Sequence, residues 1–288
     1  MLAAGLRDPK DVASVRKRLA DLRQQYSYAA VLVRELVATD FRIKYQSSFL
    51  GYLWSLLRPL FMFVIMYIFF GIFLGAGGGL PNYASYLLLG ILLWNFFAEV
   101  TSGGVTAVVG QAGMLRKLYF PKYTVILSVA ITSFINLLIN GVVLAILMSV
   151  FGADIGWESF LLIPLVIELA IFGTGVAFML SALYVRFRDT GYVWDILLQA
   201  GMYVTPIFYS LSFVRGKSLW TAAFLSLNPM AQIIQDVRYV MITKQTTTLD
   251  DLVRTGWFRL IPIAFVLAFT SWAIWFFKRR APMFAEEV

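Results

Sequence analysis

The sequence predicts an all-α integral membrane protein with six transmembrane helices. Three observations predict it: an extreme apolar composition, six hydrophobic runs each about as long as a bilayer is thick, and basic residues gathered on alternate connections. Of the 288 residues, 60% are hydrophobic and 16% aromatic, and only 14% are charged. Soluble domains have roughly 45–50% apolar and about 25% charged residues. The chain also contains no Cys and no His. That removes disulfides, thiolate and imidazole metal sites, Cys nucleophiles and the commonest general base, and with them most enzyme mechanisms.

Crossing about 30 Å of hydrocarbon takes roughly 20 helical residues, and the first run of that length extends from about Leu53 to Leu74. Five more follow, at about Tyr83–Gly104, Thr124–Ser149, Phe160–Leu183, Tyr192–Leu211 and Trp257–Phe277, each bounded by Gly-rich, Pro-containing or charged segments. Residues 1–52 thus form an N-terminal segment and 53–288 a membrane domain. Six crossings put both termini on one side. The N-terminal segment bears Arg7, Lys10, Arg16, Lys17, Arg18, Arg23, Arg34, Arg42 and Lys44, and the same membrane face receives Arg58, Arg116, Lys117, Lys122, Arg186, Arg188, Lys278, Arg279 and Arg280. The two short opposite loops, Gly75–Asn82 and Val150–Ser159, contain neither Lys nor Arg. The positive-inside rule makes the basic face cytoplasmic. The net charge of +8 is then a product of topology and not a nucleic-acid patch. No apolar run follows a short basic start, so residues 1–52 do not read as a secretory signal.

Three segments outside the spans are distinctive. In Tyr28–Ser48, Val33, Leu36, Val37, Phe41 and Tyr45 recur near helical spacing while Glu35, Arg42 and Lys44 are polar. This fits either a helix lying in the membrane interface or a cytoplasmic helix packed on a soluble surface. The loop Gln111–Tyr123, QAGMLRKLYFPKY, is too short for a domain and too apolar for a free linker. It reads as a docking element or as a simple basic anchor, and Pro121 stops any short helix within it. Between Phe213 and Thr255, Ser218–Leu227 is apolar but about half a span long, and Asn228–Pro229 then opens an amphipathic helix. Two short apolar pieces before the last span suggest a re-entrant hairpin, with a small exterior cap as the alternative.

Several suggestive strings carry no chemistry. Gly216-Lys217-Ser218 resembles the end of a phosphate-binding loop, but the required first glycine falls on Leu211. Gly71-x-x-x-Gly75 adjoins a glycine-rich turn and is a loosening helix end. Asp250 and Asp251, after Thr246–Thr248, make a helix start more readily than a cation site. No nucleotide, metal or nucleophile constellation remains, so any ATP must be bound by another polypeptide. Carboxylates within the spans are few. Glu99 lies toward the cytoplasmic end of the second, Asp195 near the start of the fifth, and Glu168 within the fourth is the one placed for an ion-coupled carrier, with a structural partner for a polar neighbour or a lumen-facing carboxylate as the alternative. Among the aromatics, Tyr67, Trp94, Phe97, Tyr203, Phe208 and Tyr209 could line a wet passage, offering flat faces to the CH faces of sugar rings.

The order of these pieces resembles the ABC-2 type permeases that export lipid-linked polysaccharides and polyol phosphates, such as O-antigen and teichoic acid. The resemblance covers nearly the whole chain. It rests on LVRELVATDFRIKYQSSFLGYLWSLLRPL (Leu32–Leu60), NFFAE (Asn95–Glu99), MLRKLYFPKY (Met114–Tyr123), YVRFRDTGYVWDILLQAGMYVTPIFY (Tyr184–Tyr209), LNPM (Leu227–Met230) and the terminal KRRAPMFAEEV.

The resemblance implies a permease subunit in the bacterial cytoplasmic membrane that pairs with a second copy of itself. Two separate ATPase subunits, holding ATP and Mg, would dock below, this chain carrying no cofactor of its own. It implies that Met114, Leu115, Arg116, Lys117, Leu118, Tyr119, Phe120 and Pro121 form the coupling helix. Arg116 and Lys117 would be its polar contacts, and Leu118, Tyr119 and Phe120 its apolar plug. Arg42, Lys44, Arg186, Arg188 and Asp189 would surround the cytoplasmic entrance. Tyr67, Trp94, Phe97, Glu168, Tyr203, Phe208 and Tyr209 would line the channel for a polyprenyl-linked glycan. The rival functions are an ion-coupled carrier using Glu168 and a membrane-embedded transferase or phosphatase, the latter without a catalytic constellation.

Overall fold

The computed structural model describes residues 28–43, 51, 53–75, 80–111, 113, 121–150, 156–253 and 260–284. Every regular element among them is helical. Helix α1 covers residues 28–43 with Ala29 and Leu36 buried and Arg34, Glu35 and Arg42 exposed, the one-sided pattern its spacing predicts.

The bundle is organised around α3 (Tyr83–Gly110), which is predominantly apolar and has buried residues along nearly its whole length, as a helix enclosed by others must. Alongside it runs α5 (Leu162–Arg186). Small residues set their approach: a methyl group on Gly104 would lie 2.4 Å from Ala177 Cβ. Small side chains take this role because, in lipid, helices gain from close backbone packing and not from hiding apolar surface. On its other flank α5 packs against α11 (Leu260–Arg280), where Thr270 Oγ1 donates to the Ile171 carbonyl at 3.2 Å. Helix α4 (Tyr123–Val150) packs against α3.

Helix α2 (Leu53–Met66) continues into a wider π-helical stretch, Tyr67–Phe73. It leans on α3 and α4 but buries little, with Phe61, Ile65, Ile68, Phe69, Ile72 and Phe73 all exposed. Among the described residues, five helices are long and apolar enough to span a membrane: Leu53–Phe73, Tyr83–Gly110, Tyr123–Ser149, Glu158–Arg186 and Leu260–Met283.

The sequence places the remaining crossing at Tyr192–Leu211, and here the structure differs. Helix α6 runs from Thr190 to Val204, and its 15 residues rise about 22 Å, short of the ~30 Å of hydrocarbon. Pro206 is the cause. Proline disfavours helical geometry in the residue before it, and Thr205 is extended, with ψ 132°. Residues 205–210 are irregular, and short helices follow: α7 (Leu211–Lys217), α8 (Leu219–Ser226), α9 (Pro229–Met241) and α10 (Leu249–Val253). Each of the last three starts on a predicted or recognisable cap. Ser218 accepts from Thr221 N and Asn228 from Met230 N at 3.0 Å, while Asp251 accepts from Thr248 N at 2.8 Å.

Candidate functional site

Two faces of α6 have opposite characters. One docks on α3: Trp194 Nε1 donates to Thr101 Oγ1 at 3.0 Å, and Gly201 lies against the Trp94 ring, where an added methyl would approach to 2.9 Å. The other carries Tyr192, Asp195, Gln199 and Tyr203, spaced i, i+3, i+7 and i+11, all exposed. None of the residues of α6 is fully buried. A carboxyl and a carboxamide on one stripe of an otherwise apolar helix are poorly suited to hydrocarbon, where each costs free energy unless it meets water or a polar partner. The stripe is therefore a candidate wall of an aqueous passage.

The end of that wall is held by a buried cation. Arg238 on α9 is 0% exposed, and its guanidinium donates from Nε to Tyr86 O at 3.0 Å, from Nη1 to Pro206 O at 2.7 Å and from Nη2 to Ile207 O at 2.7 Å. It lies 3.6 Å from the centroid of the Tyr86 ring, a close cation–π contact. Gly90 makes the room, since a methyl there would lie 2.3 Å from Nη2. Tyr83 Oη donates to Phe208 O at 2.6 Å, Gln235 Nε2 to Pro206 O at 3.3 Å and Tyr209 Oη to Val204 O at 2.8 Å. Irregular backbone at membrane depth survives only where protein satisfies its polar groups, and here side chains from α3 and α9, with Tyr209 from the stretch itself, supply the donors.

The chain matches the model of the family described as ABC-2 type transporter over residues 31–242. It belongs to the ABC-2 type transporter family. The permease is similar to the O-antigen export system permease protein RfbA of Myxococcus xanthus, with 26% identity over 267 residues, 93% of this chain and 98% of that protein. Two proteins of the same name from Klebsiella pneumoniae are 28% and 27% identical, each over 74% of this chain and over 81% and 82% of their own lengths. Family and fold together make the permease a multi-pass membrane protein and a transport subunit whose ATPase is a partner subunit.

The predicted passage aromatics divide sharply. Tyr203 is exposed, and Tyr67 and Tyr209 are half-buried. Trp94, Phe97 and Phe208 are buried within the permease. Phe97 stacks on Phe172 with centroids 5.4 Å apart, and Phe208 on Phe70 at 5.0 Å. Glu168 is half-buried on α5, away from the α6 stripe in sequence. At the expected entrance, Arg42, Arg186, Arg188 and Asp189 are exposed, and Arg188 lies over the Tyr184 ring at 5.3 Å. Lys44 and Met114–Phe120 lie outside the described residues.

Of the loop expected to couple to the ATPase, the base is described. Beyond Pro121, Lys122 Nζ donates to the Ala281 carbonyl and lies 5.4 Å from the centroid of the Phe284 ring, and burial lowers its pKa from the ordinary lysine value. Phe284 is itself buried against Phe277 at 5.3 Å. The end of α11 is thereby clasped to the start of α4. Sequence reasoning missed Arg238 and Gln199. Gln199 was detectable by its spacing of four from Asp195. Arg238 had no local signal, because its acceptors lie on segments distant in the chain.

Proposed function

We propose that the permease exports O-antigen or a closely related polyprenyl-linked envelope polysaccharide from the cytoplasm across the bacterial inner membrane. It does so as one of two identical subunits enclosing a passage, with both termini cytoplasmic. Two ATPase subunits drive it through the 111–123 loop. The observation that carries this reading is the exposed stripe of Tyr192, Asp195, Gln199 and Tyr203 on α6. Such a face can hydrogen-bond hydroxyls and stack on sugar rings, and a second copy would close it off from lipid. The names of the relatives supply the glycan class.

In operation, the lipid tail stays in the bilayer beside α2 while the sugars follow the stripe. ATP binding closes the partner subunits and moves the coupling loops, and the bundle changes access as a rigid body. An ion-coupled carrier built on Glu168 is not favoured, because the family works with an ABC ATPase. The test is to replace Tyr119 and Phe120 with Asp and to measure surface glycan and permease-stimulated ATP hydrolysis. Both are expected to fall while membrane levels hold. Unchanged coupling would remove the loop from the mechanism.

A further inference from the structure

A cavity of about 880 Å³ opens between α2, α3 and α4, with Met202 of α6 at one wall. Its size falls within the roughly 300–1,000 Å³ of small-molecule sites. It is lined by Arg58 of α2, by Asn95, Glu99 and Ser102 of α3, and by Asn136 and Asn140 of α4. On α3 the polar residues recur at i, i+4 and i+7 and on α4 at i and i+4, so each helix turns one polar stripe to the same space. The stripes are braced. Asn136 Nδ2 donates to Glu99 Oε1 at 2.7 Å, and Asn140 Nδ2 to the Asn136 carbonyl at 2.8 Å. Asn136 and Asn140 are only 4% and 8% exposed.

All six lie within membrane-spanning helices, where polar groups persist because a ligand, water or a partner uses them. The chemistry of the lining selects among ligands. Among the described lining residues, one guanidinium and one carboxylate leave no formal net charge, which suits neither a phosphate nor a metal cation. Three carboxamides and the hydroxyls of Ser55 and Ser102 offer donors and acceptors side by side, as sugar hydroxyls require. Trp54 adds an aromatic face at the rim, and Met62, Leu92 and Phe96 supply apolar wall.

We infer that this cavity binds a sugar ring of the transported glycan, a neutral polyhydroxylated group, inside the bilayer and apart from the α6 stripe. The inference rests on the glycan-export reading above. Its test uses the absence of native cysteine. Ser102→Cys is introduced, the permease–ATPase complex is placed in nanodiscs without ATP, and the rate of labelling by a charged methanethiosulfonate is measured. Two lipids are compared: the lipid-linked glycan extracted from the cells that carry the permease, and bare polyprenyl diphosphate.

Labelling is expected in the absence of lipid. Glycan lipid at about ten times its dissociation constant should slow it roughly tenfold, and the bare lipid should not. Equal rates with and without glycan lipid would mean a water-filled cavity and overturn the inference. Equal protection by bare polyprenyl diphosphate would mean a headgroup site and would also overturn it, as would a thiol that never reacts. Asn140→Leu is expected to lower surface glycan at normal membrane level, with partial rescue by Asn140→Gln. Deleting the permease separates the two readings. If surface glycan persists without it, the export reading fails. If surface glycan is lost but Ser102→Cys is unprotected, only the cavity assignment fails.

Discussion

A guanidinium enclosed by an apolar bundle is tolerated when its donors are used, because an unpaired buried charge costs several kcal/mol. Arg238 meets that condition with three backbone carbonyls and one ring face. Arg238→Ala strands those carbonyls, at about 1–3 kcal/mol each, so it is expected to cost more than about 3 kcal/mol. A thermal inactivation midpoint followed by size-exclusion of detergent-solubilised protein checks this. Arg238→Lys keeps the charge but not the planar fork, and its midpoint should fall between the two. Gly90→Ala tests the same site from the other side. Its methyl would overlap Nη2, and overpacking of this kind costs about 1–3 kcal/mol. A midpoint unchanged by Gly90→Ala would show that the guanidinium can move aside at no cost.

At the scale of elements, the clasp between Lys122 and the segment Ala281–Phe284 joins the base of the 111–123 loop to α11. Phe284→Ala removes the buried ring that seats it, and truncations of this kind cost about 3–5 kcal/mol in well-packed sites. Here the loss is expected locally, as faster hydrogen exchange at the start of α4 with α3 unchanged. Uniform loss of protection would instead make Phe284 part of the global core. The long spans were legible because a run of apolar residues is a local property, and so were the caps at Asn228 and Asp251. The break in α6 was not. Pro206 is followed by Ile207 and Phe208, so mean hydropathy stays high, and the donors that make the break affordable come from Tyr83, Arg238 and Gln235. The exposure of the candidate passage aromatics was not legible. Composition identifies aromatics but not helix rotation, which turns Tyr203 outward and Trp94, Phe97 and Phe208 inward.

For the whole molecule, the function proposed above makes the α6 stripe a passive conduit powered by the partner ATPase. Asp195→Leu combined with Gln199→Leu is expected to reduce surface glycan at least several-fold while leaving the complex assembled, measured by co-purification of the ATPase. Undiminished export would place the passage elsewhere. Burial is unevenly shared among the crossings: 78% of the apolar stretch of α3 is buried, against 6% for that of α2. A helix that buries so little of its surface within its own subunit is less firmly held than α3, and the least stable segments are the ones that open first. An orphan subunit made in excess of its companions would consequently expose a degradation signal built from its own first crossing, so membrane proteases could police subunit stoichiometry. In pulse-chase measurements its half-life should lengthen when the companions are co-synthesised.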